Sequence, residues 1–298
     1  MAGVLIHIGY PKAGSTYLQK WFSKHPAMFY NPISVSGFYH STDISRYAEV
    51  PGRIHEYFVL SSEHLSAWQG EPDIVGLKNT KLYDVDAYQQ KITETLHGIY
   101  PHAKVLIVTR GYTSFFQSFY SQYVSGGGIL EFDTLQENFG GFFTSVLQYS
   151  YVIDLYRKQF GDENVIVLPY EMLREDPTAF TALIEEKLNV QEKFSFTSEK
   201  INPSLDEKML HTHKVFSNFL FNLIQPFPYS FQKVVYGYYI TQLRIKKPHP
   251  FMKFLSKFTK GSVELRGLEQ TLDKLIGQAE ILRHEKLYAP YLKEYLLS

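Results

Sequence analysis

The chain has 298 residues, 44% of them hydrophobic and 20% charged, which is enough apolar material for a sizeable core and excludes a disordered or fibrous protein. Thirty Lys and Arg balance thirty Asp and Glu, so the global basic excess of a dedicated nucleic-acid binder is missing. The lack of cysteine excludes a disulfide scaffold, thiolate-held zinc or iron–sulfur centres and a cysteine nucleophile, and it fits a reducing compartment.

The chain begins without the charged, apolar and small-residue segments of a signal peptide, so a cytoplasmic location is expected. Val4 to Ile8 is a short apolar run that reads as a buried strand; Gly and Pro then turn the chain, and a helix opens at Ser15 and Thr16. His7 lies inside that strand and reads as a core histidine. A second apolar run, Tyr57 to Leu60, ends in Ser61-Ser62-Glu63-His64. Residues Asp86 to Ile99 have helical spacing, and Pro101 precedes the clearest strand, Lys104 to Thr109, which Arg110 follows at once. Thr113 to Val124 is helical up to the triplet Gly126-Gly127-Gly128. Phe142 to Phe160 reads as one helix stopped by Gly161, Val165 to Leu168 as a strand, and Thr178 to Leu188 as a helix.

Strand alternates with helix throughout, which predicts an α/β fold with a central parallel sheet flanked by helices and with ligands gathering at the carboxyl ends of the strands. The division expected is an α/β core over residues 1–200 and a largely helical, basic and aromatic extension over 201–298, packed on the core. From Lys208 to Val263 there is no Asp or Glu, while nine Lys or Arg and twelve Phe or Tyr are interleaved. Phe251, Phe254 and Phe258 share a helical face with Lys253, Lys257 and Lys260 beside it. Three readings stay open for 244–260: contact with an anionic membrane, which would make the protein peripheral on the membrane's inner face; a cover over the active site; or phenylalanines packed on the core. The longest apolar run, Val215 to Ile224, is interrupted by polar residues and falls short of the roughly 20 residues of a span. Leu265 to Leu297 has the spacing of one or two amphipathic helices.

Gly9-Tyr-Pro-Lys-Ala-Gly-Ser-Thr16 has the Gly-x-x-x-x-Gly frame of a phosphate loop, but Ser15 stands where the phosphate-binding lysine would be and Lys12 comes earlier. Glycines permit the tight turn, and the helix opening at Ser15 offers N–H groups and a positive dipole end to an anion. A metal-dependent kinase would carry an acid after another strand, yet the strand Val105 to Thr109 ends in Arg110. These features favour a nucleotide with anions at both ends and no metal requirement.

In these two segments the chain resembles the sulfotransferases that use 3′-phosphoadenosine 5′-phosphosulfate (PAPS). Pro11-Lys-Ala-Gly-Ser-Thr-Tyr-Leu-Gln19 is similar to that family's 5′-phosphosulfate loop, and Arg110-Gly-Tyr-Thr-Ser-Phe-Phe-Gln-Ser-Phe-Tyr120 to its 3′-phosphate motif. Weaker likenesses at Phe160-Gly161, Val165 to Leu168 and Tyr170-Glu-Met-Leu173 extend the resemblance over roughly the first two hundred residues. It implies a P-loop-like three-layer fold. It also implies PAPS as donor without a metal, a donor site made by Lys12, Ala13, Gly14, Ser15, Thr16, Tyr17, Arg110 and Ser118, and Lys12 as the cation that stabilises the leaving oxygen. Lys200-Ile-Asn-Pro-Ser204 resembles a cofactor-closing loop of some bacterial relatives, which adds Asn202 and Ser204. The family's usual Arg-Lys-Gly element is missing there, and Lys260-Gly261 is a stand-in.

Ser61-Ser62-Glu63 resembles the position at which several bacterial and N-sulfating carbohydrate sulfotransferases carry a catalytic carboxylate. That makes Glu63 the first choice for the base and points to a carbohydrate or glycolipid acceptor. His64 is the competitor, because hydroxyl-sulfating relatives use histidine, and adjacent strand residues would point to opposite sides. The rival readings are a metal-dependent P-loop kinase of a small molecule and a non-catalytic nucleotide-binding or membrane-associated module. No nucleic-acid partner is expected, and the oligomeric state is left open.

Overall fold

Leu5, Ile6, His7 and Ile8 lie at the middle of the fold, all fully buried on both faces of their strand, the pattern of a parallel strand covered on two sides. The computed structural model describes residues 2–30, 35–38, 41–44, 55–66, 84–196, 205–245 and 250–296, with backbone only at 35–38, 41–44 and 244–245. The strands are β1 (Gly3–Ile8), β2 (Met28–Tyr30), β3 (Val35–Phe38), β4 (Ser41–Ile44), β5 (Tyr57–Ser62), β6 (Lys104–Thr109) and β7 (Val165–Pro169). Among the described residues five of them form one parallel sheet in the order β2-β5-β1-β6-β7, and β3 and β4 form an antiparallel pair that the sequence reading did not assign. The register sets Ile8 beside Ser62 on one side and Ile107 on the other.

The helices of the α/β part are α1 (Ser15–Lys24), α2 (Val85–Ile99), α3 (Tyr112–Ser125), α4 (Phe132–Val146), α5 (Tyr149–Phe160), α6 (Tyr170–Glu175) and α7 (Pro177–Leu188). Polar caps define several of them: the Asp84 carboxylate accepts from Ala87 N–H at 3.0 Å, and Asp176 accepts from Thr178 and Ala179 N–H ahead of a helix that starts on Pro177. The crossover from β1 to β2 runs one way across the sheet and those leading to β6 and β7 run the other, so right-handed connections place α1 and the α2–α5 pair on opposite faces. α7 joins α1 on its face through His25 and Glu185, 3.1 Å apart. Leu5, Ile6 and Ile8 of β1, Val59 and Leu60 of β5 and Val105 to Val108 of β6 are fully buried between these layers.

The single helix expected over Phe142 to Phe160 is two. α4 ends at Val146, and α5 starts at Tyr149 after a break at Leu147 and Gln148. Leu147 and Tyr149 are both fully buried, so the apolar rhythm runs through the break and hides it.

After α7 the chain forms α8 (Glu207–Ile224), capped by Asp206 on Met209 N–H at 2.7 Å, then α9 (Tyr229–Ile245), α10 (Pro250–Leu255) and α11 (Leu268–Asp273). The amphipathic helices expected over Leu265 to Leu297 reduce to α11 and three short 3-10 turns, because Gly277 at φ 81° and Pro290 interrupt the helical path. Leu275, Ala279, Leu282, Tyr288 and Tyr295 from this stretch are buried in the same core cluster as the sheet. Phe251, Phe254 and Phe258 are about half exposed or more, which goes against one of the three open readings, that they pack on the core. Met252, beside Phe251 on the same short helix, is the buried residue there.

Candidate active site

The site is built where β1, β5 and β6 end. β1 is the strand at which the chain's progress across the sheet reverses, and the crevice outside such strand ends is where ligands of parallel sheets sit. The loop after β1 turns on two left-handed residues, Lys12 at φ 65° and Gly14 at φ 84°. Gly14 needs its missing side chain twice: its φ is disfavoured for L residues, and a Cβ there would stand 2.4 Å from Leu173 Cδ2. Lys12 adopts a conformation uncommon outside glycine, so tertiary contacts must hold it there.

Those contacts are visible. The Arg110 guanidinium, at the end of β6, donates through Nη1 to the Lys12 carbonyl at 2.6 Å and through Nε to Ser114 Oγ at 3.0 Å. It also stacks over the Tyr170 ring, 4.5 Å from its centre. The Tyr149 hydroxyl clamps Arg110 from both sides, donating to its carbonyl at 2.7 Å and accepting from its N–H at 3.3 Å. Burial pulls the guanidinium below its ordinary pKa, and Tyr170 and Glu171 oppose that pull. Ser118 lies one helical turn beyond Ser114 on α3, so Arg110, Ser114 and Ser118 form a polar strip along one side. Ser114 was not among the residues expected at the site, although its spacing of four from Arg110 was there to be used.

α1 begins at Ser15 with Gly14 as its cap and no side chain on its first N–H groups. That leaves the positive end of the helix available to an anion. Leu18, Trp21 and Phe22 anchor the helix by complete burial, while Thr16 is exposed at its mouth and Tyr17 is half-buried against Phe196. Ala13 is buried beneath the loop.

Gly9 brings the loop against the end of β5: a Cβ there would lie 3.0 Å from Ser15 Oγ and 3.1 Å from Glu63 N. Ser66 ties the same two segments together, donating from Oγ toward Gly9 O at 3.1 Å and Glu63 O at 2.9 Å. Glu63 is therefore held beside Ser15 and Lys12. Burial raises its pKa above the ordinary carboxylate value, and the Lys12 charge and the Ser15 hydroxyl partly counter the rise.

Glu63 and His64 do not belong to the strand. They start a 3-10 turn, Glu63–Leu65, capped by the Ser62 hydroxyl on His64 N–H, so the opposite-sides rule for strand neighbours does not apply to them. His64 is half-buried, burial lowers its pKa, and its carbonyl accepts from the Tyr88 hydroxyl at 2.7 Å. His7 stays within the core as expected, its Nδ1 2.7 Å from Ser61 Oγ, and burial lowers its pKa to about 3.

The C-terminal segment supplies partners that no motif indicated. Tyr295 donates to Glu171 Oε2 at 2.5 Å, and Glu171 Oε1 accepts from Gly111 N–H at 3.0 Å, which links the last described turn to the residue after Arg110. Tyr288 and Thr109 hydroxyls meet at 2.7 Å at the end of β6. Asn202 and Ser204 lie outside the described residues, as does Lys200. Among the described residues no group of three or more His, Asp or Glu is placed to hold a metal ion.

No protein-family model matches the chain, and no curated protein matches it in sequence. Among solved structures it is similar to a sulfotransferase from Alicyclobacillus acidocaldarius, with 18% identity over 73% of this chain and 93% of that one and a TM-score of 0.47. A likeness of that size does not by itself define an activity. The geometry above defines a class: an α/β protein with an anion-accepting strand–loop–helix, a cation inside the loop, a second cation after the neighbouring strand end and a half-buried carboxylate beside the loop.

Proposed function

We propose that the protein is a sulfotransferase that takes the sulfuryl group from PAPS and delivers it to a hydroxyl or amine of a carbohydrate or glycolipid. The observation that carries this reading is the pairing of Lys12, held left-handed in the loop, with Glu63 close enough for each charge to be felt by the other. A donor with anions at both ends of its nucleoside suits the two cationic places. Gly14, Ser15 and Thr16 at the start of α1 would receive the 5′-phosphate, and Arg110 with Ser118 the 3′-phosphate.

In the reaction the acceptor oxygen or nitrogen attacks sulfur while the bond from sulfur to the bridging oxygen breaks. The acceptor proton passes to Glu63, whose raised pKa makes it a stronger base than an ordinary carboxylate. The electron pair of the broken bond stays on the 5′-phosphate oxygen, where the Lys12 ammonium offsets the developing charge. Positioning and fixed cations supply the catalysis, as in phosphoryl transfer through a charge-dispersed transition state. The likeness around Glu63 supports the carbohydrate or glycolipid class.

The test is incubation with sulfate-labelled PAPS and a panel of glycans, glycolipids and small phenols, beside calorimetry with adenosine 3′,5′-bisphosphate. Label transfer to a glycan or glycolipid and metal-independent binding of the bisphosphate are expected. Tight uptake of ATP with magnesium, and none of the bisphosphate, would replace this reading with a kinase.

A further inference from the structure

A stripe of apolar side chains is left uncovered on the helices after α7. On α8, Val215, Phe219 and Leu223 follow at intervals of four and are exposed, with Phe219 at 60%. Phe231, Val234 and Tyr238 repeat the arrangement on α9, where Val234 is 71% exposed. Phe251, Phe254 and Phe258 add a third row on and just after α10, and Phe258 is 72% exposed. Phe216 ties the three helices together, touching Phe219 on α8, Tyr239 on α9 and Phe251 on α10, while Phe227 meets Phe231 at 5.0 Å and Phe254 meets Phe258 at 5.3 Å between ring centres within their own stretches. Isolated exposed apolar residues are ordinary, but linked rows of large ones on a water-facing surface mark a contact site.

Every charged residue between Lys208 and Val263 is basic, and acids reach the rows only from neighbouring segments, where Glu131 and Glu264 line a pocket with Val215 and Glu131 pairs with Lys214. Lys208, Lys233, Lys253, Lys257 and Lys260 are exposed, and among the described residues none of them is ion-paired. The net charge of the whole chain is zero, so the basic excess belongs to this segment. A second copy of the chain would bring like charges face to face across such a contact. A layer of anionic head groups above an apolar interior instead meets both features, taking the phenylalanines among the acyl chains and the lysines among the phosphates. No described helix is long and apolar enough to cross a bilayer, so the contact is with its surface.

We propose that α8, α9 and α10 form a docking face for an anionic lipid bilayer, with Phe254 and Phe258 as inserted anchors and Lys253 and Lys257 as head-group contacts. Phe254, Phe258, Lys253 and Lys257 are not among the residues assigned to the donor, and the test needs neither donor nor acceptor. The full chain is floated with phosphatidylcholine vesicles and with phosphatidylcholine vesicles containing phosphatidylglycerol. Flotation with the anionic vesicles alone is expected, falling steeply between low salt and about 0.5 M salt. Phe254→Ser with Phe258→Ser should lower the partition about tenfold or more, and Lys253→Ala and Lys257→Ala about fivefold each, with unchanged thermal midpoints because the side chains are exposed. Absence from anionic vesicles at low salt overturns the proposal. So does equal flotation of the wild type and the phenylalanine variant, or sedimentation showing that these residues join two copies that do not float.

Discussion

Arg110 and Lys12 are 98 positions apart in the chain, yet the Arg110 guanidinium donates to the Lys12 carbonyl at 2.6 Å. This bond, with the Tyr149 clamp behind it, holds Lys12 in a left-handed conformation that its side chain disfavours. The two cations proposed to grip opposite ends of the donor are thus mechanically joined. Arg110→Ala should weaken binding of adenosine 3′,5′-bisphosphate by about a hundredfold, as loss of charge-assisted hydrogen bonds implies, and should also lower turnover because Lys12 loses its brace. Arg110→Lys should rescue little, since an ammonium cannot serve Ser114 and Lys12 together as the planar fork does. Calorimetry on both variants measures this, and unchanged affinity would show that the 3′-phosphate lies elsewhere.

Lys12→Ala should lower kcat by about two to three orders of magnitude while changing bisphosphate affinity much less, because its charge acts on an oxygen that becomes fully anionic only as the bond to sulfur breaks. Single-turnover kinetics beside equilibrium binding separate the two effects. Equal losses in both would place Lys12 in binding alone.

The base should show itself in the pH profile. Burial raises the Glu63 pKa, so the acid limb of kcat/KM should lie above the 4.5 of an ordinary glutamate, with activity lost as pH falls through it. Ser15→Ala removes a hydroxyl that lowers that pKa and should move the limb to higher pH. Glu63→Gln should abolish transfer while leaving bisphosphate binding intact, and His64→Ala should retain the limb. A limb that disappears with His64 and survives in Glu63→Gln would exchange their roles.

Tyr295→Phe deletes the donor to Glu171 Oε2 without opening a cavity. A buried carboxylate that loses a hydrogen bond costs about 1–3 kcal/mol, so urea unfolding should report a loss of that size. Because Glu171 also holds Gly111 N–H, the variant should weaken bisphosphate binding as well. Stability loss with unaltered binding would confine Tyr295 to a role in packing.

His7 should make the fold sensitive to acid. Its pKa falls from 6.5 to about 3 on burial, so the unfolded chain takes up this proton first as pH drops. The neutral ring's contribution is fully present above about pH 6.5 and is lost progressively down to about pH 3, at about 1.4 kcal/mol per pH unit from this group. His7→Asn should flatten that part of the stability curve in denaturant titrations; an unchanged slope would mean that other groups set it.

The strand–loop–helix at the start of the chain, the strands Lys104 to Thr109 and Val165 to Leu168, and the helix after Arg110 were legible because each is written in neighbouring residues: apolar runs of strand length, glycines at turns, helical spacing afterward. The break between α4 and α5 was not, since buried Leu147 and Tyr149 continue the apolar rhythm across it. The same local rule failed for Leu265 to Leu297, where apolar side chains at helical spacing are buried from short turns.

The sequence marked Lys12 and Ser15 through the frame of the loop, Arg110 through its place after a strand and 208–263 through its basic and aromatic composition, all local properties, while Ser118 and Glu63 came from the resemblance to a known family. Tertiary structure decided that Glu63 stands beside Lys12 and Ser15, that Arg110 reaches the Lys12 carbonyl, that Tyr295 braces Glu171, and that the phenylalanines after α9 face water. Each depends on segments distant in the chain meeting at the end of one sheet or failing to meet a core, and such meetings follow from the packing of whole layers rather than from any residue's neighbours.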